Sequence, residues 1–290
     1  MKLGIDIGGS HISIALVEKD KVLDKTEYVY DKEFRENIRE NLVNYIVLTS
    51  MEKIKNFNIE KIGISIAGRL EKNVLKICPN IQELNGINLV EEISKYINLP
   101  ISVNKDSLCA AKAEKEYGAL NTYKTAVFLC IGTGIGGASF RDNFLHRDGF
   151  GHMIIKPDGR KCGCGKNGCF EAYCSIKNLR NRVNNYLKGE KLEGEQLHDY
   201  LLKNQNEPGI KEIIDEYVKH LALGLSNIID IVLPEAIAFG GSFSFYEDIF
   251  MEKVKRYIIK NDLLVDKNSM PIFEMGYFKN DAGIVGATLF

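Results

Sequence analysis

Residues 2–17, Lys-Leu-Gly-Ile-Asp-Ile-Gly-Gly-Ser-His-Ile-Ser-Ile-Ala-Leu-Val, decide the fold because their plan recurs at residues 125–140, Thr-Ala-Val-Phe-Leu-Cys-Ile-Gly-Thr-Gly-Ile-Gly-Gly-Ala-Ser-Phe. Each stretch reads as a strand rich in β-branched residues, a glycine turn and a second strand. In the first copy, strands at 3–7 and 12–17 lead to a third at 22–30, an antiparallel meander. In the second, a strand at 125–131 passes through the glycines of 132–137 into a strand at 138–140. Such glycines permit a tight turn and let backbone N–H groups approach a phosphate with no Cβ in the way. A dinucleotide-binding G-x-G-x-x-G opens a helix, whereas Gly137 leads into a strand, and no G-x-x-x-x-G-K-[ST] run exists. Two hairpins gripping a triphosphate from both sides fit better. One side would be Asp6, Gly8, Gly9 and Ser10, with the Asp6 carboxylate facing Mg²⁺. The other would be Gly132, Thr133 and Gly134, with Gly240 and Gly241 left for the nucleoside.

The rest of the chain fits around these two turns. Phe34, Ile38, Leu42, Tyr45, Leu48 and Ile54 recur at helical spacing and predict one helix over 33–55. A strand at 62–66, a helix at 89–97 capped by Asn88 with Glu91, a strand at 101–103 and a helix from Asp106 to near Gly118 complete the first half. The second half adds a glycine- and cysteine-rich insertion over 141–169, helices to about 230 and a strand at 236–239. Ser244 and Glu247 then predict a capping box for a helix to about 260, followed by a strand at 272–275 and a closing helix from Asp281. The expected fold class is α/β: two similar domains, 1–118 and 119–290, with mixed sheets flanking a cleft. The 281–290 helix is expected to pack back on the first domain. Clefts of this kind are where ligands usually bind.

Composition removes several function classes. Hydrophobic residues at 45% exclude a disordered chain, and 38 basic against 39 acidic residues leave no global field for nucleic acid or an anionic membrane. Asp6 interrupts any signal-like apolar start, and the longest uncharged stretch, 125–140, is glycine-broken and too short to span a bilayer, so a cytoplasmic protein is expected. Three of the seven cysteines, Cys162, Cys164 and Cys169, crowd into eight residues. With His152 they form a Cys₃His set suited to a closed, structural, tetrahedral Zn²⁺, which would fix Glu171 two residues beyond. Asp106, at a strand–helix junction, either caps its helix or acts as a base. His11, His146, His198 and His220 read as surface or packing residues, and Cys78, Cys109, Cys130 and Cys174 as small core residues.

With these residues the chain resembles the ROK family of sugar kinases, repressors and open reading frames, within the actin-like ATPase superfamily. Residues 6–10 look like its first phosphate motif, 132–137 its second, Gly240-Gly241 its adenosine motif and Asp281-Ala282-Gly283 its closing helix. The run from Gly151-His152 to Cys169-Phe170-Glu171 is the most family-specific part. The resemblance implies two actin-like (ribonuclease H-like) domains, ATP, Mg²⁺, structural Zn²⁺ and phosphoryl transfer to a hexose hydroxyl, in a homodimer or homotetramer. Asp106 matches the base, and His152 and Glu171 match sugar contacts. Gly68-Arg69 and residues 81–85 look like the matching segments of N-acetylmannosamine kinases, while the zinc-bearing core looks like that of glucokinases. The implied acceptor is therefore a hexose, allose included, or an N-acetylhexosamine, phosphorylated at the 6-hydroxyl. Two positions depart from the pattern: Lys105 stands where the family usually has Asn, and Gly149 where it usually has Glu. Asp148 is expected to substitute for the latter, pairing with Lys105, while Lys105 facing an anionic group would admit an acidic sugar. The alternatives are a DNA-binding repressor, which would need a domain ahead of the first strand, and a degenerate sensor that binds sugar or nucleotide with little turnover.

Overall fold

The protein's structure, a computed structural model, describes residues 1–189, 191–261, 265–266 and 268–290. Two compact units emerge, one of residues 1–121 with 280–290 and the other of 122–279. Each is built on a five-stranded mixed sheet.

In the first unit, β1 (Lys2–Ile7), β2 (His11–Glu18) and β3 (Lys21–Val29) form the antiparallel meander, and β1 then pairs in parallel with β4 (Ile62–Ile66). Strands β5 (Arg69–Glu71) and β6 (Val74–Ile77) make a small hairpin, and β7 (Ile101–Lys105) joins the main sheet beside β4 to give the order β3-β2-β1-β4-β7. The second unit repeats this order with β8 (Ala126–Ile131), β9 (Ile135–Arg141), β10 (Phe144–His146), β11 (Ala236–Gly240) and β12 (Ile272–Met275), running β10-β9-β8-β11-β12. The duplicated strand plan in the sequence is a duplicated sheet in the fold.

The predicted helix over 33–55 is two helices, α1 (Lys32–Glu36) and α2 (Ile38–Asn56). Asn37 between them is non-helical at φ −129°, ψ 47°. The Asp31 carboxylate accepts from the Phe34 N–H, and Phe34 stacks flat on Tyr30, which fixes α1 in its own direction. The buried stripe of α2 is Ile38, Leu42, Ile46 and Val47, while Leu48 faces out at 69% exposure. Helix α3 (Leu89–Ser94) is capped by the Asn88 side chain, with Glu91 receiving its amide in return.

Helix α4 (Asp106–Glu116) packs against the closing helix α10 (Ala282–Ala287), which also crosses β1 and β4. Glycine makes that crossing possible. A Cβ on Gly63 would sit 2.0 Å from the Ala287 carbonyl oxygen, and one on Gly286 would sit 1.7 Å from that of Cys109. Backbone cannot yield at such distances.

In the second unit the turn is shorter than its glycines suggest. Gly136 and Gly137 belong to β9, and a Cβ on Gly137 would lie 2.4 Å from the Phe128 carbonyl oxygen, so glycine there serves close strand approach. Helices α5 (Glu171–Cys174), α6 (Ile176–Leu187), α7 (Gly194–Asn204) and the 25-residue α8 (Pro208–Val232) follow the insertion, and α9 (Glu247–Asn261) follows β11. The expected Ser244–Glu247 capping box is not formed. Gly241, at φ +71°, turns the chain straight into a 3₁₀ helix over 241–246, and the Ser244 hydroxyl donates back to the Gly241 carbonyl. Among the described residues no helix is long and apolar enough to cross a membrane.

Candidate active site

In the first unit, Asp6 lies near the carboxyl end of β1, in register with Ser65 of β4, which is in register with Asn104 of β7. Asp106 follows two residues on, as the first residue of α4. Carboxyl ends of parallel strands are the usual ligand edge of an open α/β sheet. Burial pushes the Asp6 carboxyl above the usual carboxylate range; Ser65 beside it opposes the rise, the Asp106 charge adds to it, and His11 and Lys25 oppose it. The Ser65 hydroxyl itself, wholly buried, is not aligned on any acceptor. Asp106 is likewise raised by burial, held back by the Ser107 N–H donating to its Oδ1 at 2.6 Å and by Lys105. That bond is local, so the rest of the Asp106 carboxylate is available for chemistry.

The turn above Asp6 is held from several sides. The Gly8 N–H donates to the His11 carbonyl at 2.9 Å, and Arg35 Nη2 donates to the Gly9 carbonyl at 3.0 Å. Ser10 is exposed, its hydroxyl 3.2 Å from His11 Nδ1. A Cβ on Gly9 would lie 2.9 Å from Asn80 Cβ, which brings the 78–81 segment beside the turn. Below, a Cβ on Gly283 of α10 would come 2.7 Å from Asp6 Oδ1 and 3.0 Å from Ser65 Oγ. Gly68 sits at φ +149°, with room for no side chain against the Ile77 carbonyl, and delivers the exposed Arg69. Lys105 is half-buried at the end of β7. Asn80, Arg35 and Ser65 were not singled out in the sequence, since only chain folding brings the first two to Gly9 and Ser65 to Asp6.

In the second unit, the Gly132 N–H donates to the Gly134 carbonyl at 2.9 Å, closing the turn that presents Thr133 outward. Gly134 has no room for a side chain because Glu171 Oε2 lies 2.5 Å from where a Cβ would be. The same oxygen accepts the Ile135 N–H at 2.8 Å. Glu171 is therefore tied to the turn through one oxygen, while Oε1 lies 3.5 Å from Cys162 Sγ. Gly240 ends β11 against the Phe128 ring, and Gly241 turns beneath the Ile131 carbonyl. Beside them opens a cavity of about 740 Å³, lined by Gly132, Thr133, Ser242 and, farther round, Leu197, Phe245 and Tyr246. Lys177, Arg180 and His198 add cationic groups to its wall. A volume of this size and a largely apolar lining suit a nucleoside-sized ligand. His198, which the sequence offered as a surface or packing residue, lies 3.0 Å from Asp199 and 3.1 Å from Asp248, and the Asp199 hydrogen bond leads in raising its pKa above the usual imidazole value. The signal was weak, because Asp248 is distant in sequence.

The ligand atoms of His152, Cys162, Cys164 and Cys169 all lie within 4.8 Å of one another. Cys164 Sγ and Cys169 Sγ are 3.6 Å apart, and His152 Nδ1 is 3.8 Å from Cys162 Sγ. A tetrahedral ion with Zn–S bonds near 2.3 Å has ligand–ligand edges of about 3.8 Å, so the set fits Zn²⁺. Burial pushes the Cys162 thiol up to about 12, while the Lys166 N–H pulls Cys164 down. Three thiols this close ionise together only around a cation. For Mg²⁺, the fit rests on Asp6: a carboxylate whose charge is opposed by burial and by Asp106 gains most from a hard cation, and the unaligned Ser65 hydroxyl beside it adds an oxygen.

Asp148, expected to stand in for a carboxylate at 149, is held to β9 through one of its oxygens. Its Oδ2 accepts both the amide and the hydroxyl of Ser139 on β9, with Arg141 3.9 Å away. Gly149 itself has open space, with nothing within 4 Å of an added Cβ.

With this geometry in hand, comparison with known proteins places the chain. It is 29% identical to a glucokinase of Thermotoga maritima over 98% of this chain and 95% of that protein. It is also 28% identical to the xylose repressor of Bacillus spizizenii over 81% of this chain and 62% of the repressor. In fold it is similar to the ROK hexokinase of Thermus thermophilus, with a TM-score of 0.80 at 22% identity, covering 99% of this chain and 96% of that one. A family model described as ROK family matches residues 2–290, and the chain belongs to the ROK family.

Proposed function

We propose that the protein is an ATP-dependent sugar kinase that phosphorylates a hexose or N-acetylhexosamine at its 6-hydroxyl. Asp106 carries the reading: a half-buried carboxylate, its basicity raised by desolvation, stands at the strand ends beside a second carboxylate and a glycine turn. Phosphoryl transfer asks little covalent chemistry of the protein, so a base that orients the hydroxyl, together with donors and cations around the phosphates, suffices. A raised pKa brings the base nearer the operating pH, where proton acceptance is most efficient.

Asp106 accepts the acceptor hydroxyl's proton. With the Gly8 and Gly132 N–H groups closing their own turns, the amides of Gly9 and Ser10 and those of Thr133 and Gly134 hold the phosphates, and the cavity at Ser242, next in sequence to Gly240 and Gly241, takes the adenosine. Asp6 would hold Mg²⁺, which when bound offsets the phosphate charge. His152, Cys162, Cys164 and Cys169 would hold Zn²⁺ as a structural ion. With His152 Nδ1 turned to the thiols, its Nε2 is left for a sugar hydroxyl. Glu171 Oε1, Gly68, Arg69 and Lys105 complete the sugar contacts. Gly149 leaves space and Lys105 adds a charge, so an unusual hexose or an acidic sugar is within the class.

A coupled ADP-release screen over neutral, N-acylated and acidic sugars with ATP and Mg²⁺ tests the reading; no turnover on any sugar that the protein measurably binds would refute it. That outcome would favour a sugar sensor, the reading to which the similarity to a xylose repressor points.

A further inference from the structure

The insertion that carries the thiols is anchored to the body of the second unit by a contact set that includes none of the metal ligands. Its hub is Arg160, two residues before Cys162. The Arg160 N–H donates to Tyr173 Oη at 2.8 Å, and its carbonyl accepts the Gly168 N–H at 2.8 Å, beside Cys169. Its guanidinium lies over the Tyr173 ring, 4.5 Å from the centroid, and pairs with Glu216 Oε1 of α8 at 2.8 Å. Tyr173 is sandwiched, with His220 of α8 on it at 4.3 Å between centroids. The other oxygen of Glu216 pairs with Arg182 of α6. The backbone has been shaped to this arrangement: a Cβ on Gly159 would lie 2.1 Å from Tyr173 Oη, and Gly168 adopts φ +77° where a Cβ would meet the Lys156 carbonyl at 1.8 Å.

We propose that Glu216 is a positioning residue for the metal loop: by gripping Arg160 it holds residues 159–169 folded before the ion arrives, and so sets how tightly that ion is bound. This rests on the reading of the Cys₃His cluster as a Zn²⁺ site. Three of the four ligands, Cys162, Cys164 and Cys169, lie on this loop, and without the clamp they would have to be ordered at the moment of binding, which opposes affinity. The clamp orders the chain on both sides of the Cys162–Cys169 pair through one side chain. Partners that orient ligands from outside the coordination shell typically change metal affinity by about 10- to 100-fold when removed. Arg182 holds the other oxygen of Glu216 but touches no loop residue through it, so it separates a specific grip from a general loosening of α6 on α8.

The test is zinc affinity of the full chain by competition with a chromophoric chelator, with folding checked by circular dichroism. Glu216→Gln is expected to weaken zinc about 10-fold or more and to speed its release, with the ATP KM unchanged. Arg182→Gln is expected to leave zinc affinity near that of the unmodified protein. Tyr173→Phe, which keeps the ring and removes the acceptor for the Arg160 N–H, should weaken zinc by an intermediate factor. A folded Glu216→Gln protein with unchanged affinity overturns the clamp, as does an equal loss in Arg182→Gln. If the unmodified protein itself binds no stoichiometric zinc, the metal-site reading fails instead, and the two failures are told apart by that first titration.

Discussion

Replacing Asp106 with Asn separates what this carboxylate does for the reaction from what it costs the fold. The amide has nearly the same shape, and its Oδ1 can still accept the Ser107 N–H, so local backbone structure is retained. What is lost is the ability to take a proton. A positioned general base contributes roughly 10²–10⁴-fold, so turnover should fall by at least about 10²-fold, equivalent to about 2.7 kcal/mol of transition-state stabilisation. ATP affinity should hardly change, because on the proposed reading Asp106 contacts the acceptor and none of the groups assigned to the nucleotide. Stability should move the other way. The Asp106 carboxyl is raised above its ordinary value mainly by burial, so the native state binds its proton more tightly than the unfolded chain does. Stability from this group is therefore greatest at low pH and declines as pH rises from the ordinary carboxylate value through the raised one; at neutral pH the buried charge is a net cost. Asn carries no charge, so the unliganded variant should melt at or above the wild-type temperature at pH 8. The assay is steady-state ADP release across pH beside thermal melts without ligand. In the wild type the acid limb of kcat should lie above the usual carboxylate range. A variant that turns over at close to the wild-type rate, or one that melts clearly lower at pH 8, would refute the reasoning.

Three further outcomes are expected. Gly283→Ala gains about 1 kcal/mol of helix propensity but sets a methyl 2.7 Å from Asp6 Oδ1, and overpacking of roughly 1–3 kcal/mol should win, lowering the melting temperature and weakening Mg²⁺-ATP binding measured by calorimetry. On the proposed reading, removing Zn²⁺ with a zinc-selective chelator in excess Mg²⁺ should raise the sugar KM far more than the ATP KM, read from initial rates, because His152 and Glu171 lie at the thiol cluster while the cavity assigned to the nucleotide is lined by other residues. His198 has a raised pKa, so the stability it contributes through Asp199 and Asp248 is present below the usual imidazole value and lost as pH rises through the raised one. His198→Asn should therefore lower the melting temperature at pH 6 more than at pH 9.

Much of the fold was legible because it is written twice. Strand, glycine turn and strand near the start of each half pointed to the two sheets, and Cys162, Cys164 and Cys169 stood out because crowded thiols with intervening glycines have few other uses. What escaped the sequence was decided by particular backbone turns and strand or side-chain contacts that spacing and residue type do not register. Phe34 and Leu48 share helical spacing with Leu42, yet the backbone leaves helical geometry at Asn37, splitting the helix in two, and Leu48 faces outward. Gly136 and Gly137 looked like turn residues; the Phe128 carbonyl that demands a bare backbone at Gly137 belongs to the adjacent strand. Asp148 looked like a free carboxylate because nothing in its neighbourhood announces that Ser139 will claim it.

That last correction bears on specificity. With Asp148 Oδ2 bound to Ser139 and Gly149 bare, residue 149 offers no carboxylate and that of Asp148 is tied to β9, although the open space around Gly149 would admit one. At the other departure, Lys105 directly precedes the base and opposes the rise in its pKa. The cation stabilises the Asp106 carboxylate, and on the proposed reading it tunes the base downward while adding a positive charge to the acceptor side. Loss of a negative group and gain of a positive one both favour an acceptor with electron-rich or anionic substituents over one whose hydroxyls need a carboxylate to receive them. On this argument Gly149→Glu, which has room to fold unchanged, should shift preference toward neutral hexoses, and a variant with the same ranking of sugars as the wild type would show that these two positions do not set the choice.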